Sequence, residues 1–86
     1  MTGRLVLSTP WSRRYFPADL RPDVERLVPA GHVLRVVAKS SPTVWTLILL
    51  RGTTEVRRRR VYGRDLPHIC RSTLMAWSQE KLAATV

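Results

Sequence analysis

Acidic residues are scarce in this chain. Six Asp and Glu stand against 15 Lys and Arg, for a formal net charge of +9 over 86 residues. So few acids cannot pair with every cation, and the surplus favours a polyanionic partner: nucleic acid, an anionic membrane face or an acidic protein surface. Cysteine is nearly absent. Cys70 is the only one, which excludes an internal disulfide and a cysteine-based zinc site. Long hydrophobic runs are missing too. The longest uncharged stretch, residues 40–50, falls short of the roughly 20 apolar residues that a membrane-spanning helix needs. Near the start, Arg4 is followed only by Leu5, Val6 and Leu7 before polar residues resume, too little for the apolar region of a secretory signal. The expectation is a soluble, cytoplasmic protein with no membrane span.

Catalytic groups are also missing. His68 and Cys70 lie two residues apart in a predicted helix, so they point to different sides and cannot form a dyad. As metal ligands they lack the third and fourth donors of a zinc site. Cys70 falls on an apolar stripe and reads as a small buried hydrophobe. His32 follows Gly31 at a strand start, a structural position. No glycine-rich phosphate loop and no nucleophile motif occurs. A non-enzyme is expected, with no cofactor and no metal.

What is present is enough apolar side chain for one core, 44% of residues, in a single domain over residues 1–86. Residues 4–8 read as a short strand ended by Thr9-Pro10, and residues 10–17 as a loop bearing Trp11, Arg13, Arg14, Tyr15 and Phe16. Residues 18–28 read as a short helix, with Asp19 as N-cap and Leu20, Val24, Leu27 and Val28 on one side; Pro29 stops it. Three strands follow: residues 32–39, with Leu34, Val36 and Ala38 facing one way and Arg35 and Lys39 the other; residues 43–50; and residues 55–62. Ser40-Ser41-Pro42 and residues 51–54 are the turns between them. Asp65 then caps a long helix whose Leu66, Ile69, Cys70, Thr73, Leu74, Trp77 and Ala84 form one stripe.

The predicted fold class is α+β. A three-stranded antiparallel meander carries a short N-terminal helix and a long C-terminal helix packed on one face (αβββα), with an extra N-terminal strand allowed. That element order is also found in double-stranded-RNA-binding domains, but the lysine-rich start of their final helix is missing, and no family is recognised.

Thirteen of the fifteen cations are arginine, the side chain whose planar fork suits phosphate. Residues 51–71 hold seven of them against Glu55 and Asp65. Four are consecutive: Arg57, Arg58, Arg59 and Arg60. Side chains alternate along a strand, so Val56, Arg58, Arg60 and Tyr62 share one face and Arg57, Arg59 and Val61 the other. Neither face is apolar. Burying two guanidinium groups without partners would cost several kcal/mol each, so this strand must lie at a sheet edge or project past the core, with some arginine stems laid on Val56 and Tyr62. Four adjacent like charges also exceed what edge protection requires.

The sequence therefore predicts a small non-catalytic nucleic-acid-binding protein. Arg57, Arg58, Arg59, Arg60 and Arg64 would grip phosphates, assisted by Arg51, Arg13 and Arg14. DNA is favoured over RNA because an arginine-bearing sheet could enter the major groove. Trp11, Tyr15 and Phe16 interleaved with Arg13 and Arg14 would suit base stacking beside phosphate contact, but a core this small needs its large side chains, and Trp11 and Phe16 are expected to plug the open end of the sheet. The alternative is a small interaction or inhibitor protein, such as a mobile-element product, seated on an acidic surface of a host protein. Residues 43–50 are apolar on both faces, and one helix covers only one face of a sheet. Either the N-terminal segment covers the second face or a second subunit does, as a homodimer.

Overall fold

A computed structural model of the chain describes residues 3–38 and 43–84, with side chains described as far as Gln79. It is an α+β fold built on one four-stranded mixed sheet. The strands are β1 (Arg4–Leu7), β2 (His32–Ala38), β3 (Val44–Arg51) and β4 (Thr54–Tyr62), in that spatial order. β2, β3 and β4 form the expected antiparallel meander, and β1 adds the fourth strand parallel to β2. The helices are α1 (Pro10–Arg14), α2 (Arg21–Glu25) and α3 (Leu66–Ala84), with a 3₁₀ turn at Ala18–Leu20 leading into α2.

Alternation along the strands decides which face is buried. Leu34 and Val36 of β2 and Trp45, Leu47 and Leu49 of β3 point to one side, where they are buried. The helical layer meets them there with Phe16, Val24, Val28, Leu66, Cys70, Leu74 and Trp77. α3 behaves as its periodicity predicts. Leu66, Cys70, Thr73, Leu74 and Trp77 are buried while Arg71, Met75, Ser78 and Gln79 are exposed. Asp65 caps this helix, its Oδ1 accepting from the His68 backbone N–H at 3.4 Å. Trp45 is tied in place by its indole N–H, which donates to the Gly63 carbonyl at 2.8 Å. The two-residue turn joining β3 to β4 needs a left-handed residue, and Gly52 supplies it with φ of 63°.

The N-terminal third departs from the sequence reading in two places. Residues 10–14 are helical, not a loop. Thr9 and Ser12 form a capping box, the Thr9 side chain accepting from the Ser12 N–H and the Ser12 hydroxyl from the Thr9 N–H, with Pro10 at the first helical position. The helix expected over residues 18–28 is broken into the 3₁₀ turn and α2. Asp19 lies inside the 3₁₀ turn and caps nothing. Near Pro29 the Leu27 and Val28 amides bond three residues back instead of four, which tightens the chain out of the helix. Of the expected apolar side, Val24 and Val28 are buried and Leu20 and Leu27 are exposed. Lys39 and the Ser40-Ser41-Pro42 turn lie outside the described residues.

The N-terminal segment does not cover the second face of the sheet. β1 extends the sheet sideways, and α2 joins the helical layer, its Glu25 carboxylate accepting from the Leu5 N–H at 3.0 Å. Val33, Val37, Val44, Ile48 and Leu50 all point away from the core cluster and are only partly buried. This asymmetry is testable with adjacent residues of β3. Leu47→Ala should cost about 2–5 kcal/mol in urea unfolding. Ile48→Ala, on the uncovered face, should cost less than about 1.5 kcal/mol.

Candidate nucleic-acid interface

β4 is an edge strand and carries the arginine run. Every residue from 51 to 60 is exposed, so the guanidinium groups of the run stay wet. The register with β3 divides the run between the two faces. Arg57 opposes Leu49 and Arg59 opposes Leu47, so both lie on the side of α3. Arg58 opposes Ile48, Arg60 opposes Thr46 and Tyr62 opposes Val44, which places these three on the uncovered face. Between Leu49 and Leu50 the register slips, with Val56 as the extra residue. That bulge ends the regular arginine ladder beside Glu55. Val56 and Tyr62 are 47% and 68% exposed, and as the extra residue of the bulge Val56 drops out of the alternation that put it on the Arg58 face.

Gly63 donates its N–H to the directly opposite Thr43 carbonyl at 2.9 Å. Bonded pairs alternate along an antiparallel ladder, so residues 61, 59 and 57 bond inward to β3. The N–H and C=O groups of Tyr62, Arg60 and Arg58 then face outward, where no strand pairs with β4 among the described residues. A groove of about 510 Å³ runs beside this edge, with Arg59, Arg60, Val61 and Tyr62 on one wall and His68, Ile69 and Ser72 of α3 on the other.

The uncovered face has a regular plan when read across the strands. One row is Val6, Arg35, Ile48 and Arg58; the next toward the β3–β4 turn is Arg4, Val33, Leu50 and Glu55. On the other side lie Val37, Thr46 and Arg60, then Val44 and Tyr62. Arginines thus flank an apolar strip along β2 and β3, which Arg35 interrupts between Val33 and Val37. Arg35 is held by Ser8, whose hydroxyl accepts from its Nε at 2.8 Å. Arg58 is paired with Glu55 at 2.8 Å, a contact between exposed groups that is worth little and is readily exchanged for another anion.

The remaining candidates are dispersed. Arg64 is exposed in the link between β4 and α3. Arg51, at the end of β3, lines a larger groove of about 630 Å³ with Arg26, Arg57, Leu27, Leu74 and Trp77. Arg13 and Arg14 are exposed at the end of α1, with the Arg14 guanidinium 5.9 Å from the Trp11 ring centroid. Phe16 is fully buried, as expected of a plug, but Trp11 is 43% exposed. Tyr15 takes the inner position instead, edge-on to Trp45 at 5.9 Å. Arg4 and Arg35 escaped the sequence reading as site residues. Alternation already pointed Arg35 away from the core, but only the strand pairing sets it in a row with Arg58.

Cys70 is fully buried and His68 exposed, so the two are separated as the helical spacing requires. Burial pushes the Cys70 thiol from an ordinary 9.0 up to about 12, which removes it as a nucleophile at neutral pH. Among the described residues no cluster of three His, Cys, Asp or Glu could hold a metal ion, and no helix is long and apolar enough to cross a membrane. Comparison with protein-family models, curated proteins and solved structures gives no match.

The buried thiol yields a direct check. Because its folded pKa lies above the unfolded value, stability is intact below about pH 9 and falls as pH rises from there toward 12. The slope is about 1.4 kcal/mol per pH unit for this one group. Cys70→Ala should remove that part of the alkaline loss in urea titrations between those limits. At pH 8 iodoacetamide should label Cys70 only at the rate of unfolding.

Proposed function

We propose that this protein is a non-catalytic nucleic-acid-binding protein that holds the phosphate backbone through the arginines of its edge strand. One observation carries the reading: β4 exposes four consecutive arginines at a sheet edge, against a single acid, Glu55, on the same strand. Such a concentration of one sign destabilises the free protein by self-repulsion and is relieved by a polyanion. Arg64 continues the cationic edge. Arg51, Arg13 and Arg14 lie beyond it and add to the field that steers an anion inward. Phosphate contact needs no built pocket, only cations free to reach a charged backbone.

A second reading is a small interaction or inhibitor protein seated on an acidic surface of another protein. The free edge of β4 favours it, because an extended acidic segment could pair with the outward N–H and C=O groups of Arg58, Arg60 and Tyr62. Purification without nuclease separates the two. Co-purified nucleic acid, read from a raised 260/280 absorbance ratio, supports the first. A nucleic-acid-free preparation that captures one acidic protein supports the second.

The electrostatic part of the first reading has its own test. Each phosphate contact contributes about −0.7 (single strand) to −0.9 (duplex) to the slope of log K against log salt. Four contacts give a slope between roughly −2.8 and −3.6. Replacing residues 57–60 together by Ala should flatten it by at least about 1.4, the share of two contacts. An unchanged slope would remove the arginine run from the interface.

A further inference from the structure

The uncovered sheet face combines two properties seldom found together. Its centre is apolar, with Val33, Val37, Val44, Ile48 and Leu50 partly buried and Val6 at 41% exposure. Cations surround that centre, with Arg4 on β1 and Arg35 within β2 on one side and Arg58 and Arg60 of β4 on the other, against Glu55 as the acid on this face. Tyr62, the most exposed of the large hydrophobic side chains, stands at the β4 end of the same face. An occupant must therefore offer apolar surface in the middle and negative charge at the edges.

Two candidates fail that requirement. A second copy stacked about a two-fold axis would bury the apolar strip but would bring eight arginines, four from each copy, into a common interface with two Glu55 carboxylates. Like charges opposed across an interface act against such pairing. Duplex DNA offers charge without apolar surface, since its bases are stacked inside. The sheet is also too broad for a groove. Four strands spaced about 4.8 Å span about 14 Å between outer axes, wider than the roughly 12 Å major groove that admits a two-stranded ribbon.

A single strand satisfies both conditions, because unstacked bases present flat apolar faces beside a charged backbone. Arg58 and Arg60 lie about 6.8 Å apart along β4, and Arg35 lies about 9.6 Å from Arg58 across the row through Ile48. We propose that the uncovered face binds single-stranded nucleic acid, with bases laid over the β2–β3 apolar strip and Tyr62, and phosphates held by Arg58, Arg60, Arg35 and Arg4. This rests on the functional reading above and narrows its ligand class. It also divides the arginine run: the even-numbered pair holds the strand, and Arg57 and Arg59, on the α3 side, contribute mainly long-range field.

The test compares a fluorescein-labelled oligothymidylate of about 12 nucleotides, within the site sizes of single-strand binders, with a duplex of the same length. Wild-type protein should bind the single strand at least tenfold tighter. R58A/R60A should weaken that binding at least tenfold and flatten its salt slope by about 1.4, two contacts at 0.7 each. The charge-matched R57A/R59A should weaken it no more than threefold. Y62A should lose at least about fivefold on the single strand and less than twofold on the duplex. E55Q, which frees Arg58 and removes the acid from this face, should bind the single strand more tightly than wild type. Equal losses from the two arginine pairs, or duplex binding as tight as single-strand binding, would overturn the inference and leave the broader reading standing. Failure to bind either probe at low salt would end both. Light scattering of the free protein supplies the remaining outcome: a mass of 9.9 kDa fits an open face, and twice that mass, lost in an Ile48→Glu variant, would mean that a second copy occupies it.

Discussion

The helical layer of this small domain has apolar surface for one side of the sheet only, and everything else depends on that limit. Trp45, Leu47 and Leu49 of β3 receive the buried faces of α3, the 16–28 segment and β2. Among the described residues nothing covers Val44, Ile48 and Leu50, which alternation forces to the other side of the same strand. At about 25 cal/mol per Å² of apolar surface buried, an uncovered row of branched side chains is a substantial loss for a domain of this size. The chain keeps that row apolar nonetheless and sets arginines on both sides of it.

The same limit explains where the arginine run can be placed. A strand bearing alternating arginines on both faces has no position inside a sheet with one dry side, so it takes the edge. There its outer side chains reach water while Val61 still packs against the core cluster. The bulge at Val56 and the ion pair from Glu55 to Arg58 close the ladder toward the turn. Charge repulsion along β4 is eased in the free protein by solvent and by that pair.

Much of this was legible in the sequence, because alternation and helical periodicity act locally. The meander, the stripe of α3, the cap at Asp65, the burial of Cys70 and the exposed edge position of residues 57–60 all follow from spacing and from the cost of hiding charge. Errors cluster where short segments are decided by tertiary contact. The five-residue α1 owes its existence to the Thr9–Ser12 capping box, a pattern with Ser where Glu or Gln is the usual signal. The helix over residues 18–28 was overextended because Leu20 and Leu27 fit an apolar side that the fold leaves wet. The open face was foreseen as one outcome for β3. Its composition was not, because placing Arg4 and Arg35 in rows with Arg58 and Glu55 requires the pairing of four strands, which no local rule supplies.

The proposal puts the nucleic acid on the uncovered sheet face and not in the groove beside α3. Backbone amide shifts in a ¹H–¹⁵N titration with oligothymidylate locate it residue by residue. The largest changes are expected at Arg35, Thr46, Ile48 and Arg58, with His68, Ser72 and the rest of α3 nearly unmoved. Changes concentrated instead on Arg59, His68, Ile69 and Ser72 would place the ligand in the edge groove and contradict the proposal.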